Sequence, residues 1–404
     1  MASETSAPLI SIVVPTRDRP EFAALALNAL ARQSFRNFEV ILSDNALRRP
    51  FVAEPRLLDD SHMRLVRPPS PSWMTDHWEF AVTQARGRYI GVLGDKSVLV
   101  PNALEQIASV IQRHSPDALS WRHGTFQPAD ADPAGRGVVA ARRHGGECVR
   151  VDPKDILKYL LATYMDPDFV SDHQLEIRGS IYHGLYSAAL LQSLTQRFGR
   201  VFRYYAPDLN AQCAAMRVAR TVMHVHRPLE LVIVGPSNGV AVGVNVSHIL
   251  RTQEEARQGA SGSSVPLIAN LSTSISHLLA SDLIAVSGAT VRDDQRIGVH
   301  VRAARDLCRL ANWPNAGFKS SQWHALRNSA AHLGPEARRR VMQEAWRRPR
   351  IAARAFLAVH GRSLLGSRMD DLQKVLGRQD PLMARTSVEH VFAALDEAVR
   401  WGQS

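Results

Sequence analysis

The sequence predicts an α/β fold, a parallel or mixed sheet followed by a mainly helical region, on three observations. β-Branched runs alternate with segments of helical apolar spacing through the first hundred residues, polar residues cluster directly after those runs, and from about Ser247 onward the pattern is almost wholly helical. At 404 residues and 45% hydrophobic content, the chain carries enough apolar material for more than one ordinary domain. The expected division is an α/β unit over 1–245 and a helical, basic region over 246–404.

Ile10 to Val14 is a β-branched run ending at Pro15, suited to a buried parallel strand, and Pro20 to Ser34 then repeats apolar residues at helical spacing. Further strands are expected at Phe38 to Leu42, Met63 to Val66 and Tyr89 to Leu93, and helices at Asp76 to Ala85 and Asn102 to His114. The stretch Ala129 to Glu147, rich in Gly, Ala, Pro and Arg, reads as a loop. Beyond it come a helix over Leu185 to Phe198, an extended piece over Arg200 to Tyr205, a helix over Asn210 to Ala219 and a strand at Leu231 to Val234. Helical joints are expected near Gly259 to Val265, Trp313 to Gly317 and Gly366 to Asp370.

Ligand sites in such sheets open beyond the carboxyl ends of the strands. The residues there are Thr16, Arg17 and Asp18, then Asp44 and Asn45, then Asp95 and Lys96, so all three sets are expected to face one crevice.

Composition narrows the function classes. The net charge is +11, and Val301 to the end holds 18 Lys and Arg against 9 Asp and Glu, so most of the surplus lies in the last quarter. With no recognised nucleic-acid module beside it, this charge reads as a solvated helix face or as peripheral contact with an anionic membrane; Arg338 to Arg340 and Arg347 to Arg350, near Trp346 and Phe356, are its densest parts. Cys148, Cys213 and Cys308 are far apart, which suggests neither a disulfide framework nor a thiolate zinc site. The opening MASETSAPLISIVVP lacks a basic leader, and no apolar run approaches a membrane span of about 20 residues, so a cytoplasmic location is expected, with peripheral contact at the inner face of the membrane left open. No P-loop, HExxH or dinucleotide GxGxxG occurs.

Three segments in order, ISIVVPTRDRP, ALARQSFRNFEVILSDN and WMTDHWEFAVTQARGRYIGVLGDKSVLVPNAL, resemble glycosyltransferase family 2 over roughly residues 8 to 115, and more weakly to about 240. The resemblance implies a GT-A fold, a Rossmann-like mixed sheet, and transfer of a sugar from a nucleoside-diphosphate donor to a glycan, lipid-linked or secondary-metabolite hydroxyl with inversion, as in bacterial polysaccharide biosynthesis. It implies donor-binding roles for Pro15, Thr16, Arg17, Asp44, Asp95 and Lys96. Asp44 stands where the family holds the acid that contacts base or ribose. Chemically such a donor calls for backbone amides, a carboxylate and positive charge; Arg17 and Arg19 could reach phosphate or simply be solvated.

Where relatives typically read Leu-Gly-Asp-Asp-Asp, this chain reads Leu93, Gly94, Asp95, Lys96, Ser97. A divalent cation, Mg²⁺ or Mn²⁺, prefers hard oxygen ligands, and only Asp95 remains to supply a carboxylate here. Three readings are open: Lys96 replaces part of the cation's charge, the metal finds ligands elsewhere, or activity has been lost.

An inverting transfer needs a general base. RYYAPDLNAQCAAM resembles the segment carrying the family's catalytic aspartate and supplies Asp208, which could otherwise cap the helix that follows. Asp172 and Glu176 are alternatives, His183 could bind acceptor or phosphate or be structural, and Trp73, His77 and Trp78 could stack on a sugar or belong to the core. The competing reading of the whole is a catalytically silent GT-A-like partner that binds nucleotide or glycan. Nucleotidyl transfer to a sugar phosphate is disfavoured because no Gly-rich, basic phosphate loop follows the first strand.

Overall fold

The computed structural model describes residues 7–52, 62–128, 137–140, 148–234, 246–259, 262, 264–310 and 313–344. Its centre is a ten-stranded mixed sheet. The strands are β1 (Ile10–Thr16), β2 (Phe38–Asp44), β3 (Met63–Val66), β4 (Tyr89–Val92), β5 (Ser97–Leu99), β6 (Ala118–Pro128), β7 (Gly137–Ala140), β8 (Cys148–Val151), β9 (Gly184–Ser187) and β10 (Val222–Ile233).

The order is β3-β2-β1-β4-β9-β6-β10-β5, with β7 paired to β6 and β8 to β10. Parallel pairing joins β3, β2, β1 and β4 into one half and β6 with β10 into another; β9 lies antiparallel between β4 and β6. Every residue of β1 and β2 is buried, as expected of parallel strands covered on both faces. One face holds a core containing Ile12, Leu30, Leu104 and Trp121, the other a core containing Val13, Ile41, Trp78 and Phe202.

Helices α1 (Pro20–Ala31), α2 (Met74–Thr83) and α3 (Ala103–His114) follow within the first half. Pro20 opens α1, where a missing N–H costs nothing, and α1 buries Phe22, Leu25, Ala26 and Leu30. Next come α4 (Pro153–Met165), the short α5 (His173–Glu176), α6 (Ala188–Phe198) and α7 (Pro207–Met216). Ser187 caps α6 by accepting the Leu190 N–H, and Gly199 ends it in the left-handed region at φ 82°. After β10 come α8 (Val246–Gln258), α9 (Ile275–Ser287), α10 (Asp293–Arg309) and α11 (Ala316–His332).

Several sequence-based expectations are corrected here. Leu185 belongs to β9, not to the helix that follows; the apolar run Gly184 to Leu191 suits either state, and Ser187 at the cap marks the boundary. The loop expected over Ala129 to Glu147 contains β7, whose β-branched Val138 and Val139 pair with β6. Arg200 to Tyr205 forms no strand, and β10 begins at Val222 rather than near Leu231. The region around Gly235 to Gly243, Arg347 to Arg350, Trp346, Phe356 and the joint near Gly366 to Asp370 lie outside the described residues. No helix of the described residues is long and apolar enough to cross a membrane.

Candidate active site

The register brings the first two strand ends together. Thr16 lies opposite Asp44 in the β1–β2 pair, Pro15 opposite Ser43, and the Asn45 N–H donates to the Thr16 carbonyl at 2.9 Å. The Asp44 carboxylate is buried, with Oδ2 accepting the Phe51 N–H at 2.9 Å and Arg67 Nε at 3.3 Å. Its Oδ1 is buried with no hydrogen-bond partner among the described residues. A buried carboxylate oxygen normally finds a donor, so this atom is suited to accept one from a ligand.

Asp18 organises the turn that leaves β1. It sits at φ 57°, and its Oδ1 accepts the backbone N–H groups of Leu47, Arg48 and Arg49 at 2.9, 2.7 and 2.9 Å. Burial pushes its carboxyl up, but these three donors outweigh that and leave its pKa below the usual value. One side chain thus ties the turn after β1 to the loop after β2. Asn45 and Ser72 exchange two hydrogen bonds, Nδ2 to carbonyl at 2.8 Å and N–H to Oδ1 at 2.9 Å, which fixes the next loop.

Asp95 joins these two strand ends from beyond the end of β4. Its Oδ2 accepts Thr16 Oγ1 at 2.8 Å and pairs with Arg19 Nε at 3.0 Å, while the carboxylate is only 3% exposed. Burial pushes its pKa up; Arg19, Thr16 and Lys96 pull it back without cancelling the rise. The Lys96 ammonium is buried and lies 4.8 Å from the centre of the Phe22 ring on α1. Cation–π contact there offsets part of the lysine's desolvation.

These residues do not fit a Mg²⁺ or Mn²⁺ clamp. Such ions gather several hard oxygen ligands. The segment 93–97 keeps one carboxylate, Asp95 Oδ2 already serves two donors, an ammonium stands next in sequence, and Ser97 is wholly buried within β5.

Asp208 approaches from the other half of the sheet. Helix α7 starts at Pro207 and its N-cap is Ala206, so Asp208 occupies the first turn rather than the cap position. Burial raises its pKa against the pull of the Leu209 N–H and its own N–H. The loop that carries it is braced from α9: the Asp282 Oδ2 accepts the Tyr205 N–H at 3.0 Å and Asn210 Nδ2 at 3.3 Å. Burial pushes Asp282 up to about 6. Thr75 on α2 also donates to the Tyr204 carbonyl at 2.9 Å.

Tyr182 links the two halves. Its hydroxyl packs so closely on Gly94 that a Cβ there would clash, and its ring stacks on Trp78 with centroids 5.5 Å apart. Burial, then the charges of Glu230, Asp95 and Asp208, push its phenol well up, so the same side chain feels the acids from both sides. Trp78 is therefore core, wedged between Tyr182 and Phe202, and His77 is buried with Nε2 2.9 Å from Ser43 Oγ. Burial holds His77 near a pKa of 4. Asp172 caps α5 by accepting the Gln174 N–H at 2.9 Å, and Glu176 takes His173 Nδ1 at 3.3 Å. Arg17 is partly buried and acts electrostatically on Asp18 and His77.

Four residues of this region were not legible from the sequence: Arg67 on Asp44, and His123, His173 and Glu230 around His183. His183 is therefore not a lone histidine. Its ring stacks on His123 with centroids 4.4 Å apart, and His173 meets His123 edge-on at 5.3 Å.

Residues 11–133 match the family model described as Glycosyl transferase family 2. A protein of Sinorhizobium fredii called uncharacterized protein y4gI is 35% identical over 118 residues, which are 28% of this chain and 12% of that one. Glycosyltransferase GlyG of Streptococcus pneumoniae is 18% identical over 126 residues, 31% of this chain and 42% of that one. The chain thus spans well under half the length of both relatives. Among solved structures, S. aureus TarS 1-349 in complex with UDP-GlcNAc aligns with 83% of this chain and 89% of its own at 13% identity and a TM-score of 0.46.

Proposed function

We propose that this chain, which belongs to glycosyl transferase family 2 through residues 11–133, moves a sugar from a nucleoside-diphosphate donor to a hydroxyl of a glycan, lipid-linked or secondary-metabolite acceptor, with inversion. The observation that carries the reading is the buried, unpartnered Oδ1 of Asp44, held in register with Thr16 at the carboxyl end of a fully buried strand pair inside the matching segment. That atom offers an acceptor for a base N–H or ribose hydroxyl where an α/β sheet opens to ligands.

In this reading Pro15, Thr16 and Asp44 receive the nucleoside, and Arg17, Arg19 and Lys96 face the diphosphate. The departing diphosphate needs positive charge, and Arg19 and Lys96, both interacting with Asp95, are fixed cations at the third strand end. The acceptor oxygen attacks the anomeric carbon on the face opposite the leaving nucleotide as Asp208 takes its proton. Burial raises the pKa of Asp208, which strengthens it as a base. The donor set at Asp95 does not suit a metal, so these cations meet the charge of the leaving diphosphate. The units 1–245 and 246–404 are proposed as catalytic domain and accessory helical region, with the basic C-terminal part meeting an anionic inner membrane face.

The test is a panel of nucleotide sugars incubated with the full chain, in EDTA and in Mn²⁺, scored for released nucleoside diphosphate. Release from one donor in both conditions, lowered roughly 10²- to 10⁴-fold by Asp208→Asn with donor binding retained, is the expected result. Binding that vanishes in EDTA and returns only with Mn²⁺ would remove the metal-free account. A second reading, a silent nucleotide- or glycan-binding partner, is favoured by the loss of two acids from segment 93–97; binding without any release would select it.

A further inference from the structure

We infer that His123, His173 and His183 form a binding site for one imidazole-preferring divalent ion of the Zn²⁺ type, distinct from the strand end at Asp95. Each ring offers a nitrogen, and the three nitrogens lie within 4.8 Å of one another. They come from three parts of the chain. His123 is on β6, His183 directly precedes β9, and His173 opens α5, tied to β6 by Gln174 Nε2 donating to the His123 carbonyl at 3.2 Å.

The surroundings have the form of a ligand shell. His183 Nδ1 lies 3.1 Å from Glu230 Oε2, and His173 Nδ1 lies 3.3 Å from Glu176 Oε2. Carboxylates on Nδ1 favour the tautomer with hydrogen there and leave the Nε2 lone pairs for a metal, the arrangement that orients histidine ligands generally. The third ring supplies the independent sign: His123 is 9% exposed, and its Nδ1 is buried without a hydrogen-bond partner among the described residues.

Charge argues the same way. Glu230 is wholly buried and accepts Trp121 Nε1 at 2.9 Å and His183, with no lysine or arginine ion pair among the described residues. A dication on His183 would compensate this buried carboxylate through the imidazole. Glu230 is aimed here by an irregularity in β10, whose register against β6 shifts between Pro228 and Glu230.

Nitrogens at about 2.0 Å from a shared ion sit roughly 3.3 Å apart, so the ligands draw inward on binding. His173, exposed on a four-residue helix, is the one free to do so. Three imidazoles select Zn²⁺, Co²⁺ or Ni²⁺ over Mg²⁺, and they leave a further position for water.

The inference does not depend on sugar transfer, and its test contains no nucleotide. Untagged full-length chain, stripped of metal by chelator, is titrated with Co²⁺ and followed by the visible absorption of four-coordinate Co²⁺. One equivalent binds, is displaced by Zn²⁺ and resists excess Mg²⁺. His173→Ala, at an exposed position, weakens binding by at least roughly tenfold; Glu176→Gln weakens it less, and Asp95→Asn leaves it unchanged. Absence of stoichiometric Co²⁺ binding to the wild-type chain, displacement by Mg²⁺, or equal affinity in His173→Ala would overturn the assignment.

Discussion

Arg19 Nε lies 3.0 Å from the Asp95 carboxylate, and this ion pair occupies the third strand end, beside Thr16. The carboxylate is nearly inaccessible while the guanidinium is about one-third exposed, so the pair presents positive charge outward.

Arg19→Ala should therefore weaken a nucleoside diphosphate more than the bare nucleoside. Loss of a charge-assisted hydrogen bond of about 1.5–3 kcal/mol corresponds to roughly 10- to 150-fold in affinity. Calorimetric titration with both ligands separates the two; equal loss for both would mean that the pair only holds the fold.

Asp44→Asn keeps the volume and the Phe51 N–H acceptor but removes the charge facing Arg67. Nucleoside affinity should fall by about 1–3 kcal/mol, because Oδ1 would no longer offer a carboxylate to the ligand. Thermal unfolding of the variant checks that the loss is not one of folding.

Acid should destabilise the chain through its buried neutral histidines. His77 is held near a pKa of 4 and His224 and His277 near 3, in each case chiefly by burial, against 6.5 in an unfolded chain. Below pH 6.5 the unfolded state binds the extra protons, so stability falls with pH until the folded pKa is reached, at up to about 1.4 kcal/mol per pH unit for each histidine. Asp282, raised to about 6, opposes this, since below that pH the folded state holds its proton more tightly than the unfolded one. The midpoint of thermal unfolding should drop between pH 6.5 and 4, and His224→Asn should flatten the drop.

Gly184→Ala tests the junction of the sheet halves. A Cβ at Gly184 would run into the carbonyl oxygens of Leu119 and Ser180. Overpacking of this kind costs about 1–3 kcal/mol, more where backbone must move, and urea unfolding should show at least that loss.

How much of this was legible beforehand follows from the range of the interactions. By themselves the residues of the first hundred positions determined the α/β alternation and the three strand ends at Thr16, Asp44 and Asp95, because strand and helix periodicity are local signals and parallel register then aligns the ends. Asp208 was singled out as a candidate by its setting within a longer segment, and its place in the first turn instead of the cap needed the backbone. Tertiary structure alone decided that Arg19 is the partner of Asp95, that Lys96 lies on Phe22, and that Trp78 is core. It alone gathered His123, His173 and His183 around Glu230, residues up to 107 positions apart joined by β9 running antiparallel between β4 and β6. Local pattern cannot announce such a meeting, because the chain between those histidines carries no spacing that a single helix or strand would repeat; strand pairing at long range brings them together.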